Sequence, residues 1–115
     1  LRAFAILKLL PPKVIASTGF AVLRSKELIL PDFLYYVICS ESSVNQMISN
    51  MVKGAYPSIN NTDVENINIS LPPLEVQQEI VAKIESERKV IDGCRELIKT
   101  YEDKIKRVID NVWEV

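Results

Sequence analysis

Residues 71–80 read LPPLEVQQEI. Before them lies a polar, short-period stretch, INNTDVENINIS at 59–70. After them the chain runs to its end without another proline. Proline withholds a ladder donor and drives its predecessor to extended geometry, so Pro72 and Pro73 stop a strand. Pro73 also presets a first helical turn. Glu75 and Glu79 suit the positive end of a helix. The stretch therefore divides the chain into a first part, 1–72, and a second, 73–115, joined by a stiff turn.

Downstream of the turn the pattern is a heptad. Ile84, Ile91, Ile98, Ile105 and Val112 recur every seven residues, at a positions. The matching d positions are Ile80, Glu87, Cys94, Tyr101, Val108 and Val115. A single surface helix keeps a 3.6 period, and its stripe drifts by ~20° per heptad. A stripe that holds a seven-residue repeat predicts a coiled coil. At ~1.5 Å per residue, a helix over 74–115 is about 63 Å long. Most of it is expected to project and to need a partner helix. The seam is weakest at Glu87 and Cys94, with Gly93 beside them; a glycine there costs a helix roughly 1 kcal/mol.

Upstream the pattern is mixed. AFAILKLL (3–10) is a compact apolar run closed by Pro11-Pro12, and is expected to be a buried strand or a short helix. VIAST (14–18) and GFAVLRS (19–25) have strand propensity, with Gly19 at a bend between them. Pro31 suits the first turn of a helix over FLYYVICS. Ser40 or Ser42 is expected to cap a second short helix, with Val44, Met47, Ile48 and Met51 at helical spacing and Gly54 as its stop. Thr62 or Asn61 caps one further turn, and Ile67 and Ile69 alternate as a short strand. The fold class expected is α+β: a small mixed α/β domain followed by one long coiled-coil helix. There is no internal repeat.

Composition narrows the function classes. The 115 residues are 48% hydrophobic and 25% charged, as in a globular domain, with net charge −1. Residues 1–72 carry six basic and five acidic side chains, and 73–115 carry eight and ten. If either part touches nucleic acid, it is the first. With no histidine and only Cys39 and Cys94, there is no zinc-type ligand set and no His-based catalysis. No cofactor is expected. Two isolated thiols suit a reducing cytoplasm, and no apolar run is long enough for a membrane span. No Gly-rich phosphate loop, GxSxG, or cysteine with a base partner is present, which argues against an enzyme. The chain starts at Leu1 and is expected to be a piece of a longer protein.

At the junction a resemblance becomes specific. AYPSINNTDVENINISLPPLEVQQEIVAKIE (55–85) resembles the junction in specificity subunits of type I restriction–modification enzymes. There a target recognition domain ends in a short strand, and a Leu-Pro-Pro-Leu-like turn leads into a long helix. Leu71, Pro72, Pro73, Leu74, Gln78, Ile80, Val81 and Ile84 match that pattern. Ser17–Arg24 and Pro31–Ser40 resemble the back half of such a domain. The resemblance implies a non-catalytic subunit whose recognition domain reads one half of a split double-stranded DNA site. Its helices pair antiparallel, set the spacing between half-sites, and dock methyltransferase and, with them, restriction subunits. A whole recognition domain is about twice the length of 1–72. The partner helix implied is a second conserved helix or a second copy of this chain.

Phosphate contacts by Lys and Arg carry affinity for DNA, and side chains at base edges carry specificity. The candidates are Arg24, Lys26 and Lys53, with Ser17, Thr18, Gly54, Tyr56, Ser58, Asn60 and Asn61 as polar or close-approach residues around them. Asn pairs bidentately with adenine, and Gly54 lets backbone approach closely. For helix pairing the candidates are Ile80, Ile84, Ile91, Cys94, Ile98, Tyr101, Ile105, Val108 and Val112. Two other readings share the pattern: a coiled-coil dimerisation module without DNA binding, and the recognition segment of a fused restriction–methylation enzyme.

Overall fold

A computed structural model describes residues 3–9, 12–51 and 58–114. Its helices are α1 (Pro31–Cys39), α2 (Glu41–Asn50), α3 (Asn61–Glu65) and α4 (Leu74–Trp113). Among the described residues there is no strand. The chain divides into two units, Leu1–Val81 and Ala82–Val115.

The first unit is built on a helical corner. Pro31 occupies the first turn of α1, as its fixed φ requires. Ser40 serves both helices of the corner. Its N–H donates to Val37 O at 3.1 Å and closes α1. Its Oγ accepts from the Ser43 N–H at 3.3 Å and caps α2. Buried Ser43 then donates its hydroxyl to Val37 O at 2.7 Å. Two serines thus satisfy the backbone groups that a tight helix–helix turn leaves open. Phe33 on α1 and Val44 and Met47 on α2 form the buried apolar core. Each such side chain stabilises by about 1.5–3 kcal/mol, so this core is small. Helix α3 packs beside α2.

The α+β expectation is overturned: the described first unit is helices and extended or turn backbone. AFAILKLL is neither a strand nor a helix nor buried over 3–9, and Leu9 is 92% exposed. VIAST and GFAVLRS pair as strands with no other segment among the described residues, and Ile15 is 90% exposed. The reason lies in what β propensity measures, which is fit to a pleated surface whose neighbouring strand must also be present. The short strand expected at Ile67 and Ile69 is absent for a more specific reason. A side-chain amide stands where its partner strand would be. The Asn68 N–H donates to Gln46 Oε1 at 2.9 Å, and Gln46 Nε2 donates back to Asn68 O at 2.9 Å. That two-bond ring is what an antiparallel residue pair makes.

Gly19 sits in a turn closed by the Phe20 N–H donating to Ser17 O at 3.1 Å, with no positive φ. Gly54, expected as the stop of α2, lies outside the described residues; α2 ends at Asn50. Helix α3 is capped by Asn60, not by Thr62 or Asn61. Asn60 Oδ1 accepts from the Asp63 N–H at 2.9 Å, and the Asn60 N–H donates to Asp63 Oδ2 at 2.8 Å. This reciprocal pair is a capping box.

Helix α4 begins where the Gln77 N–H donates to Pro73 O at 3.0 Å. Its first turns, through Val81, belong to the first unit. No described helix is long and apolar enough to cross a membrane.

Candidate nucleic-acid interface

In the first unit the polar candidates occupy exposed turns. Ser17 and Thr18 form the turn closed on Phe20, and Arg24 and Lys26 follow in irregular backbone, both exposed. Lys26 O accepts from the Ile29 N–H at 3.1 Å, which turns the chain toward α1. Neither cation makes an ion pair with a described residue, whereas Lys8 pairs with Asp32 at 2.7 Å. Ser58, Asn60 and Asn61 are exposed at the start of α3. Lys53, Gly54 and Tyr56 lie outside the described residues.

The folding brings some of these together. Asn61, Val64 and Glu65 of α3 share an open hollow of about 300 Å³ with Phe20, Ala21, Val22 and Leu23. Arg24 is the next residue along that segment, so an asparagine and a guanidinium bearer stand near one concave surface. Glu65 contributes the opposite charge to its lining. Asn60, in contrast, is committed: its carbonyl oxygen is used by the cap, which leaves only its NH₂ to reach outward.

Two glutamines that hold backbone in place escape a reading that looks for charge. Gln46 clamps Asn68, as above. Gln77 is fully buried, at 0% exposure. Its Oε1 accepts from the Leu30 N–H at 2.9 Å, and its Nε2 donates to Leu28 O at 3.0 Å and Pro72 O at 2.8 Å. Gln78, the glutamine matched in the junction pattern, is exposed. A signal for Gln77 existed: it lies seven residues before Ile84, so a polar side chain occupies an a position of the stripe. Ile80, from the same turns of α4, lines a second hollow with Phe33, Val37 and Pro72.

The second unit is helix. Ile84 is half-buried, while Ile91, Ile98, Tyr101, Ile105, Val108 and Val112 are each 50–66% exposed. Val90, Leu97 and Ile109 widen the stripe on its flanks and are exposed as well. A contiguous apolar face of this kind marks an interaction surface. Cys94 is a free, exposed thiol on that face, and Glu87 is exposed. A Cβ built on Gly93 meets nothing within 4 Å. Off the stripe, Arg95 pairs with Asp92 at 3.5 Å. Lys104 lies 4.7 Å over the Tyr101 ring. Exposed contacts of these kinds contribute only a few tenths to about 1 kcal/mol. Among the described residues no cluster of acidic, Cys or His side chains is arranged to hold a metal.

Residues 3–107 match the family model described as the type I restriction modification DNA specificity domain. Among solved structures, the chain is similar to the HsdS subunit from Thermoanaerobacter tengcongensis, with 41% sequence identity and a TM-score of 0.61. The match covers 70% of this chain and 21% of that subunit, so the chain spans about a fifth of its relative. No curated protein matches it.

Proposed function

This chain belongs to the family of type I restriction modification DNA specificity domains, and on that footing we propose that it is part of a non-catalytic subunit that gives such an enzyme its DNA sequence. The observation that carries the reading is the family match along residues 3–107. In this reading the first unit contributes to the recognition of one half of a bipartite double-stranded site. Arg24, Lys26 and Lys53 neutralise phosphates. Ser17, Thr18, Ser58 and Tyr56 hydrogen-bond to the backbone of the duplex, Gly54 lets it come close, and Asn61 reads a base edge. The NH₂ of Asn60 is left for one donated bond. The stripe of α4 pairs with a partner helix, either a second conserved helix of the parent protein or a second copy. The paired helices seat methyltransferase subunits, through which restriction subunits join. Exposed apolar residues at heptad spacing support the pairing, and two exposed cations without an ion pair among the described residues, on the segment that follows the hollow lined by Asn61, support the DNA contact.

The test uses the full-length parent protein with its methyltransferase partner. Affinity for a duplex carrying its site is measured across a salt series. Each phosphate contact contributes roughly 0.9 to the slope of log K against log salt. Arg24→Ala with Lys26→Ala is expected to lower affinity and to flatten the slope by up to about 2. An unchanged slope in a folded protein would remove these two residues from the interface. Absence of any duplex binding by the unsubstituted protein would sink the reading itself.

A further inference from the structure

We infer that the stripe of α4 is its own complement: two copies of this chain pair antiparallel along it, in a register centred on Glu96 in which Arg88 of each copy meets Glu102 of the other. The inference rests on the helix pairing in the reading above and commits that pairing to a second copy. It draws on nothing in the DNA contact.

The stripe is open to a partner over this stretch, with Ile91, Ile98, Tyr101, Ile105 and Val108 each 50–66% exposed. In an antiparallel pair, an a residue of one helix packs against a d residue of the other. Centred on Glu96, Ile84 meets Val108 of the second copy, Ile91 meets Tyr101, and Ile98 meets Cys94. Symmetry makes each contact twice. Glu87, the charged d residue, meets Ile105, so its carboxylate faces no other carboxylate. A parallel, in-register pair sets Glu87 against Glu87 across a desolvated seam, where two like charges are costly.

The flanks select the register, because e and g positions set partner and orientation. Arg88, Arg95 and Glu102 are at e, and Lys83, Val90, Leu97 and Lys104 are at g. In an antiparallel pair e faces e and g faces g. The register at Glu96 therefore brings Arg88 to Glu102 twice, and Leu97 to Leu97 at the two-fold axis. Val90 meets the aliphatic stem of Lys104. This gives cover to two flank residues, Val90 and Leu97, that are 63% and 58% exposed. Arg95 comes near its own copy, and each Arg95 has Asp92 at 3.5 Å to offset the repulsion. Moving the centre to between Asp92 and Gly93 sets Arg88 against Arg95 and Lys83 against Lys104, each twice, and like charges facing each other select against that register. Sliding one heptad the other way leaves Ile84 with no d position of α4 opposite it. A helix shaped for a different partner has no need to match itself in both its apolar layers and its charges.

The experiment uses the full-length protein that carries this chain, without methyltransferase and without DNA. Sedimentation gives its dimer dissociation constant. Arg88→Glu and Glu102→Arg are each expected to weaken the dimer about tenfold, because two attractive pairs become repulsive. Both residues are exposed, so neither change touches the fold. The double swap, R88E with E102R, is expected to return the constant to within about twofold of the unsubstituted value. Within one helix the two residues are about 21 Å apart, at ~1.5 Å per residue, so restoration reports contact between copies. Lys89→Glu with Asp103→Lys, at f positions on the outer face, is the control and is expected to change nothing. Single swaps without effect, or a double swap that does not restore, would overturn the register. A full-length protein that stays monomeric at roughly 100 μM would overturn the second copy as partner. Duplex binding by the same protein is a separate measurement, so failure of the DNA reading is told apart from failure of the pairing.

Discussion

A side-chain amide is the smallest copy of a peptide group, and Gln46, Gln77 and Asn60 each serve in that capacity. Gln46 completes a two-bond ring with Asn68, Gln77 grips Leu28 and Leu30, and Asn60 stands in for the missing turn ahead of α3. The Asn60 case can be measured directly. Asn60→Ala is expected to destabilise the protein by about 1 kcal/mol in chemical denaturation, and Asn60→Ser to recover most of that loss, because a hydroxyl also caps. Equal losses in both would mean that the cap contributes nothing. The capping box was legible in principle, as an Asn followed three residues later by an Asp. Thr62 and Asn61 compete with it in the sequence because threonine and asparagine are ordinary caps in their own right. Gln77 was harder to see. A neutral residue among Glu75, Gln78 and Glu79 looks like solvated surface until the Leu28–Leu30 backbone is placed against it.

At the scale of elements, helices were legible and strands were not, for one physical cause. Helix signals are local: Pro31 at a first turn, Ser40 at a cap, heptads from Ile84 onward. The bonds of a helix close within four residues, so the sequence carries nearly all the information. A strand's bonds close on another segment. Val14, Ile15, Val22, Ile67 and Ile69 have the propensity without a partner strand among the described residues, and Gln46 takes over the backbone pairing at Asn68. The stripe of α4 is the reverse case, an element whose pattern asks for something to cover it. Ile98 is at the centre of that stripe and exposed. Ile98→Asp is expected to abolish helix pairing in the parent assembly, because a carboxylate buried at a seam goes unpaired. Sedimentation that finds the assembly unchanged would remove the pairing.

The chain is nearly neutral, so on the proposed reading its contribution to DNA affinity comes from where a few cations stand and not from net charge. Six basic residues in 1–72 and the hollow beside Asn61 are the means available in this part of the protein. The chain spans 21% of the HsdS subunit it resembles, and the proposed reading gives it part of a recognition surface and a helix that pairs. Which of the polar candidates touches DNA was not legible in the sequence, because base contacts depend on where loops converge, and residue type alone does not say. The family was legible at the Leu-Pro-Pro-Leu junction, because the chain must there end one kind of structure and begin another within a few residues. The most direct measurement is selection from a random duplex pool by the full-length parent protein bound to its methyltransferase partner. The account predicts enrichment of two short half-sites separated by a spacer of fixed length and free sequence; a pool that returns no bipartite motif would contradict it.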